Sequence, residues 1–261
     1  MQGEDDATLG QSDPDFMMSL ARGIAVLRCF AEHEQPMTIA QASQSTGLSR
    51  ASVRRCLHTL VRLGYAAQQG QAYVLRPKVL SLGYAYLSSS TLATRAQPLL
   101  DQLRDELGES CSLGVLEEDE VYYVARAETR RIMAISLYAG SRLPLYATSM
   151  GRVLLAAQSP GEREAYLDRT QLRALTPKTV CDKAALLDIL AHVAEQGFAI
   201  VDQELEPGLR SIAISLKGRK GGIAALNVGT QAARVATADL RTRCLPGLRR
   251  LAQRLAHFDA F

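Results

Sequence analysis

The segment T-I-A-Q-A-S-Q-S-T-G-L-S-R-A-S-V-R-R-C-L, Thr38 to Leu57, constrains this chain more than any other stretch, because it places a helix start, a helix stop and a second start in close succession. Thr38 caps a short helix beginning at Ile39, Gly47 ends it through the left-handed conformation that glycine tolerates, and Ser49 restarts the chain as the next helix. That helix runs on to Leu63-Gly64-Tyr65, with Val53, Leu57, Leu60 and Val61 on one stripe and Arg54, Arg55, His58 and Arg62 on or beside the opposite one. A short helix, a tight Gly-containing turn and a second helix with bases in its first two turns form a helix-turn-helix, which sets its second helix in the DNA major groove.

The flanks extend the same pattern. From Ser19 the run S-L-A-R-G-I-A-V-L-R-C-F-A-E-H places Leu20, Ile24, Leu27 and Phe30 at helical spacing behind a Ser19 cap, predicting a first helix with one buried face. Gln35-Pro36-Met37 interrupts it. After the third helix, Tyr65–Ala67 and Tyr73–Arg76 read as strands around the turn Gln68 to Gln71, a hairpin wing. Arg22, Arg62, Arg76 and the helix starts at Thr38 and Ser49 suit phosphate contacts, while Arg50, Ser52, Arg54 and Arg55 are placed to read base edges. Gln69 and Gln71 fit wing contacts and ordinary turn residues equally well.

Charge follows this division. The chain of 261 residues has 30 Lys and Arg against 27 Asp and Glu, a formal net charge of +3. Residues 1–16 carry −5, residues 17–86 carry +6 and residues 87–261 carry the remaining +2. A basic module on a near-neutral body is the electrostatic footprint of nucleic-acid binding, and the acidic head reads as a disordered tail. The five cysteines (Cys29, Cys56, Cys111, Cys181, Cys244) form no C-x-x-C pair, which excludes a zinc knuckle and a disulfide framework and fits a reducing cytosol. The N-terminus is acidic where a signal peptide is basic, and no apolar run approaches the roughly 18 residues of a membrane span. The expectation is a cytoplasmic protein with no membrane contact.

Beyond the basic module, Lys78–Ser88 and Thr91–Leu107 read as helices, with Pro98 predicting a kink or two consecutive helices. Ser112–Leu116, Val121–Ala125 and Ile132–Tyr138 read as strands, the first two joined by the acidic turn Glu117 to Glu120. Helices near Ala147–Ala157, Pro160–Leu167 and Lys183–Gln196 precede strands at Phe198–Asp202, Ser211–Leu216 and Gly222–Val228, and Asp239–His257 closes the chain. This order implies an α/β (α+β) domain built on a curved antiparallel sheet. His33, His58, His192 and His257 form no paired motif, and neither a nucleophile elbow nor a phosphate loop occurs. No catalytic residue, metal ligand or cofactor is expected.

Two segments suggest a pocket. G-S-R-L-P-L-Y-A-T-S-M-G-R-V-L-L-A, residues 140–156, leads an apolar loop into a helix through Thr148-Ser149-Met150-Gly151. First-turn N–H groups there suit an anion, and Gly151 lets a ligand approach closely. V-D-Q-E-L-E-P-G-L-R-S-I-A-I-S, residues 201–215, is the second. Arg126 and Arg152 are candidates to supply charge for a carboxylate, though each suits a surface salt bridge as well. Walls from Leu143, Tyr146, Met150, Leu209 and Ile214 with a few hydroxyls suit a small aromatic acid.

Residues 19–86, with S-L-A-R-G-I-A-V-L, T-G-L-S-R-A-S-V-R-R-C-L-H-T-L, L-G-Y and P-K-V-L-S-L-G, resemble the DNA-binding domain of the IclR family of bacterial transcription regulators. The likeness is strongest to the branch controlling aromatic-acid catabolism, the PcaR, PcaU and PobR type, and continues to about residue 257. It implies an acidic head at 1–16, a winged helix-turn-helix at 17–78, a helical linker at 79–94 and a GAF-like effector-binding domain at 95–261. It also implies an effector pocket at Leu143, Tyr146, Ser149, Met150, Val201, Leu209, Arg210, Ser211 and Asn227. Expected partners are promoter DNA, an aromatic acid such as 4-hydroxybenzoate or protocatechuate, further copies in a homodimer or homotetramer, and RNA polymerase. Two other readings stay open: an enzyme on a small carboxylic acid with a DNA-binding appendage, and a constitutive repressor that senses nothing.

Overall fold

The computed structural model of the chain describes residues 13–33, 36–89, 91–129, 137–218 and 221–256. The acidic head through residue 12, most of the strand expected at Ile132–Tyr138 and His257 lie outside the described residues. The chain divides into two compact units on either side of the Tyr86–Leu87 peptide.

In the first unit, α1 (Met18–Glu32) precedes a two-residue strand β1 (Met37–Thr38), α2 (Ile39–Thr46) and α3 (Arg50–Leu63). Local chemistry sets these boundaries. Thr38 Oγ1 accepts from Gln41 N at 3.3 Å while Gln41 Oε1 accepts from Thr38 N at 2.9 Å, a reciprocal cap. Gly47, at φ +69°, closes α2, and Ser49 Oγ accepts from Ser52 N at 3.2 Å to open α3. The hairpin is β2 (Ala66–Gln69) and β3 (Ala72–Leu75) around Gly70-Gln71, and β1 pairs on the far side of β3 with Met37 opposite Tyr73. That third strand is too short to leave a periodicity in the sequence.

Two expectations for α1 fail. The helix starts at Met18 with no side-chain cap, so Ser19 lies inside its first turn. Its buried face is Val26, Cys29 and Phe30, whereas Leu20 is 58% and Ile24 47% exposed. Val26, Cys29 and Phe30 share one core with α2, α3 and the hairpin through Ala42, Val53, Leu57, Leu60 and Tyr73. That core reaches only the C-terminal half of α1.

After a 3-10 turn at Pro77–Val79, α4 (Leu80–Ser89) runs across the division between the units. Lys78 Nζ donates to Leu63 O at 2.8 Å and lies 5.0 Å from the centre of the Tyr65 ring, so a cation meets the carbonyl end of α3, where the helix dipole favours it.

The second unit opens with α5 (Thr91–Leu107), one helix that keeps Pro98 on an exposed turn rather than splitting there. Strands β4 (Ser110–Glu117), β5 (Glu120–Ala127), β6 (Arg142–Pro144), β7 (Ala199–Asp202), β8 (Leu209–Lys217) and β9 (Ile223–Gln231) form one antiparallel sheet in the order β6-β5-β4-β9-β8-β7. Helices α6 (Ser149–Ala156), α7 (Pro160–Arg169) and α8 (Lys183–Gln196) follow β6. A short α9 (Thr237–Asp239), a π turn (Leu240–Cys244) and α10 (Leu245–Ala256) follow β9. The expected loop before α6 thus contains a strand, β6, which pairs with β5.

Strand alternation sorts the core into two layers. Ile212, Ile214, Leu226 and Val228 pack with α5 and α10, whereas Ala213 and Ala225 pack with α6 and α8. Ile214, expected in the pocket wall, therefore lies on the opposite face. A bulge on β5 interrupts the alternation: Gly114 pairs with Tyr123 and Leu113 with Ala125, leaving Val124 as the extra residue.

Candidate functional site

Both expected sites can be built from these elements. In the first unit the turn at Gly47-Leu48 joins α2 to α3. Along α3, Val53, Leu57 and Leu60 are buried while Arg50, Arg54, Arg55, His58 and Arg62 are exposed. Arg22 on α1, Gln69 and Gln71 at the hairpin tip and Arg76 after β3 are exposed too. Burial pushes the Cys56 thiol up, while Arg22 and Arg55 both pull it down, so a guanidinium from α1 and one from α3 act on one point. The ion pairs among the described residues all lie in the second unit, and none involves Arg22, Arg50, Arg54, Arg55, Arg62 or Arg76. These cations keep their charge available to a polyanion.

Thr38 and Ser49 hold their helix starts by capping them, as described above. A residue at such a position presents a phosphate-facing helix end without having to touch the phosphate itself.

In the second unit a cavity of about 30 Å³ lies between the sheet and the start of α6. Its floor is two rows of residues running across the strands. Arg126 on β5, Ser112 on β4 and Asn227 on β9 stand side by side in register, and next to them run Ser110 on β4, Gly229 on β9, Ser211 on β8 and Val201 on β7. A methyl group at Gly229 would meet nothing within 4 Å. Leu143, Ala147, Thr148 and Ser149 face the floor from β6 and the start of α6, Leu205 from the segment joining β7 to β8, and Leu209 from the first position of β8.

Polar groups on this floor are only partly satisfied. The Arg126 side chain is 8% exposed; Nη1 donates to Ser112 Oγ at 3.0 Å and Nη2 lies 3.6 Å from Glu128, while Nε has no partner among the described residues. Asn227 Oδ1 is buried and equally unpartnered. Ser149 Oγ donates to Ser211 Oγ at 2.8 Å. Burial pushes the Tyr123 phenol well above its usual range, so it remains a neutral donor on the cavity wall.

Of the expected pocket residues, Leu143, Ser149, Val201, Leu209, Ser211, Asn227 and Arg126 line this cavity. Five do not. Tyr146 donates its hydroxyl to Arg173 O, and Met150 packs in the core beside Gly114. A Cβ on Gly151 would collide with the Leu145 backbone, so the glycine admits a neighbouring loop rather than a ligand. Gly151 N donates to Thr148 Oγ1, which occupies a first-turn donor expected to face an anion. Arg210 reaches Val235 O and donates to Asp202 Oδ1 at 2.7 Å; the hydrogen bond to Asp202, ahead of a second from Lys178, holds that carboxyl down to about 2. Arg152 is buried against Glu204 at 2.5 Å and donates to Tyr146 O.

Ser110, Tyr123, Leu137, Ala147, Thr148, Leu205 and Gly229 also line the cavity and were not expected, and Ser112 supports it by accepting from Arg126. In the run S-C-S-L-G, serines alternating with apolar residues mark one face of a buried strand as polar, a signal that was present. A larger open groove of about 610 Å³ along α8, β7 and Arg241 holds none of the polar row.

Among the described residues no cluster of His, Cys, Asp or Glu suits a metal, and no helix is long and apolar enough to cross a membrane.

Residues 19–70 match the IclR helix-turn-helix domain and residues 84–257 the bacterial transcriptional regulator IclR C-terminal domain. The chain is 49% identical to the Pca regulon regulatory protein of Pseudomonas putida, over 94% of this chain and 85% of that protein. A transcriptional regulator from Rhodococcus sp. RHA1 shares the fold with a TM-score of 0.83 at 42% identity, covering 94% of this chain and 98% of the other. The inducer-binding domain of the PobR transcription factor from Acinetobacter, a double mutant in complex with 3-hydroxybenzoic acid, covers 63% of this chain and 97% of its own at 33% identity, with a TM-score of 0.59.

Proposed function

The chain belongs to the IclR family of bacterial transcriptional regulators, a DNA-binding regulator related to those of aromatic-acid catabolism, and on that footing we propose that it controls aromatic-acid catabolic genes in response to a hydroxylated benzoate. The observation that carries this reading is the pair of buried, unpartnered groups on the cavity floor: a guanidinium nitrogen of Arg126 and the Asn227 carbonyl oxygen. A buried cation without a full partner favours a carboxylate, and a buried carbonyl favours a hydroxyl donor.

The two residues stand on strands separated only by β4, and the Arg126 guanidinium reaches over that strand to Ser112 Oγ. A benzene ring with a carboxylate and a hydroxyl offers one group to each, and Ser149 and Ser211 offer further hydrogen bonds. The inducer-binding domain in complex with 3-hydroxybenzoic acid supports the same ligand class.

At about 30 Å³ the cavity holds one or two waters, so a ring enters only as side chains around it give way. Effector binding is thereby tied to a change of conformation, which a ligand needs in order to shift DNA binding. No His or Cys lines the cavity among the described residues, and Ser149 bonds to Ser211 rather than to a base, which supports a sensor over an enzyme.

On DNA, α3 enters the major groove and the unpaired arginines take phosphates and base edges. The exposed Leu20, Ile24, Leu80, Leu82 and Tyr84 give the first unit an apolar surface suited to a second copy, so a dimer on two half-sites is the expected working form, alone or as half of a tetramer in contact with RNA polymerase.

Thermal shift of the full-length protein against 4-hydroxybenzoate, protocatechuate, β-ketoadipate and glyoxylate tests the ligand class. A ligand at one hundred times its Kd stabilises the folded state by about 2.7 kcal/mol. The aromatic acids should raise the melting temperature, and Arg126→Met should remove the effect. A response only to glyoxylate or β-ketoadipate, or to none of the four, would overturn the assignment.

A further inference from the structure

We propose that Glu204 is a positioning residue, the latch of a lid over the cavity; the inference rests on the effector-site reading above. The segment from Gln203 to Gly208 joins β7 to β8 and brings Leu205 against the cavity, next to Leu209 at the start of β8. One carboxylate makes its buried charge contact, beside main-chain hydrogen bonds that include Ala232 N donating to Gly208 O at 2.8 Å. Glu204 Oε2 accepts from Arg152 Nη2 at 2.5 Å and from Val180 N at 3.1 Å, so a single oxygen ties the segment both to α6 and to the stretch leading into α8.

Arg152 lies three residues after Ser149 on α6, and its side chain is 3% exposed against 10% for Glu204. The lid and the helix that forms the opposite wall are thus joined by a buried ion pair. Two threonines reinforce the closed position from outside the cavity: Thr176 Oγ1 donates to Gln203 O at 2.7 Å and Thr179 Oγ1 to Glu204 O at 2.6 Å.

Gln203 supplies a bias the other way. It sits at φ +62°, a left-handed conformation unfavourable for a residue with a side chain, and is held there by Gln203 N donating to Leu209 O and Gly208 N donating to Gln203 Oε1. A strained hinge restrained by a buried charge pair, with threonine and main-chain hydrogen bonds beside it, is a two-position element. With the pair made, Leu205 and Leu209 close on the cavity; with it broken, the strain favours release and a path for a ligand.

Hydrogen–deuterium exchange of the full-length protein tests this without requiring any ligand. Glu204→Gln should raise exchange at residues 203–209 by about tenfold while amides of β9 keep their protection. A double variant, Arg152→Met with Glu204→Met, removes both charges together and should show the same localised loosening, which keeps the test available if the single variant folds poorly. An equal rise across β9 would make Glu204 a general structural residue and overturn the latch, as would no rise at 203–209. In the unsubstituted protein, 4-hydroxybenzoate should slow exchange at 203–209. If it does not, the aromatic-acid reading fails, while the ligand-free comparison still decides the latch.

Discussion

Ser149 Oγ and Ser211 Oγ are 2.8 Å apart, a buried hydrogen bond that joins the first residue of α6 to β8 at the cavity wall. Each hydroxyl is the other's partner, so removing one strands the other. Ser211→Ala should cost about 1–3 kcal/mol, whereas adding Ser149→Ala should cost little more, because both groups are then gone. Urea denaturation of the two single variants and the double variant measures the coupling, and strictly additive losses would show that the bond contributes nothing.

The unpaired arginines of the first unit, Arg54, Arg55 and Arg62 on α3 and Arg76 after β3, should separate into two classes. Arg54→Ala or Arg55→Ala is expected to weaken specific promoter binding by about 1–3 kcal/mol where the side chain reads a base. Arg62→Ala and Arg76→Ala should weaken all sequences alike and lower the salt dependence by about one unit each. Gel retardation on promoter and unrelated DNA at several salt concentrations distinguishes them, and unchanged specificity removes a residue from the base-reading set.

Gly151 and Gly229 give opposite outcomes for the same substitution. Gly151→Ala drives a methyl group into the Leu145 backbone and should destabilise the second unit by about 1–3 kcal/mol or more. Gly229→Ala meets open space, so stability should hold while the methyl group narrows the cavity and lowers effector affinity. Melting temperatures with and without 4-hydroxybenzoate test both. A stable Gly151→Ala protein would contradict the packing, and an unchanged ligand response in Gly229→Ala would remove Gly229 from the cavity floor.

Asp202 predicts an acid limb. Its carboxyl is held at about 2 by the hydrogen bond from Arg210 and then by Lys178, below the roughly 3.9 of a free aspartate. A depressed folded value means that this contribution to stability is complete above the unfolded pKa and is lost as pH falls through about 2. Asp202→Asn should therefore lose less stability than the unsubstituted protein across that window. Parallel losses in urea midpoints at stepped pH would assign the acid limb to other groups.

What the sequence disclosed follows the range of the interactions involved. The helix-turn-helix was legible because Thr38, Gln41, Gly47 and Ser49 act on atoms within a few residues of themselves. The fate of Leu20 and Ile24 was not, since an apolar residue at helical spacing is buried only where another element reaches it. Arg126 and Arg152 looked alike as isolated basic residues. They differ because Glu204, brought close only by the fold, takes one of them and leaves the other facing the cavity. Family likeness supplied Val201, Ser211 and Asn227, which no local pattern would have placed together.

The Val124 bulge has a consequence for how such a cavity can evolve. With unbroken alternation along β5, Tyr123 and Arg126 would point to opposite faces, and the guanidinium would enter the apolar layer under α5 and α10. The cation reaches the cavity because one residue has been added, whatever that residue is. Insertion or deletion of a single position near Val124 would invert which side chains a ligand meets while leaving every functional residue type in the chain, so ligand preference among relatives can change by a shift in count with no substitution at the site.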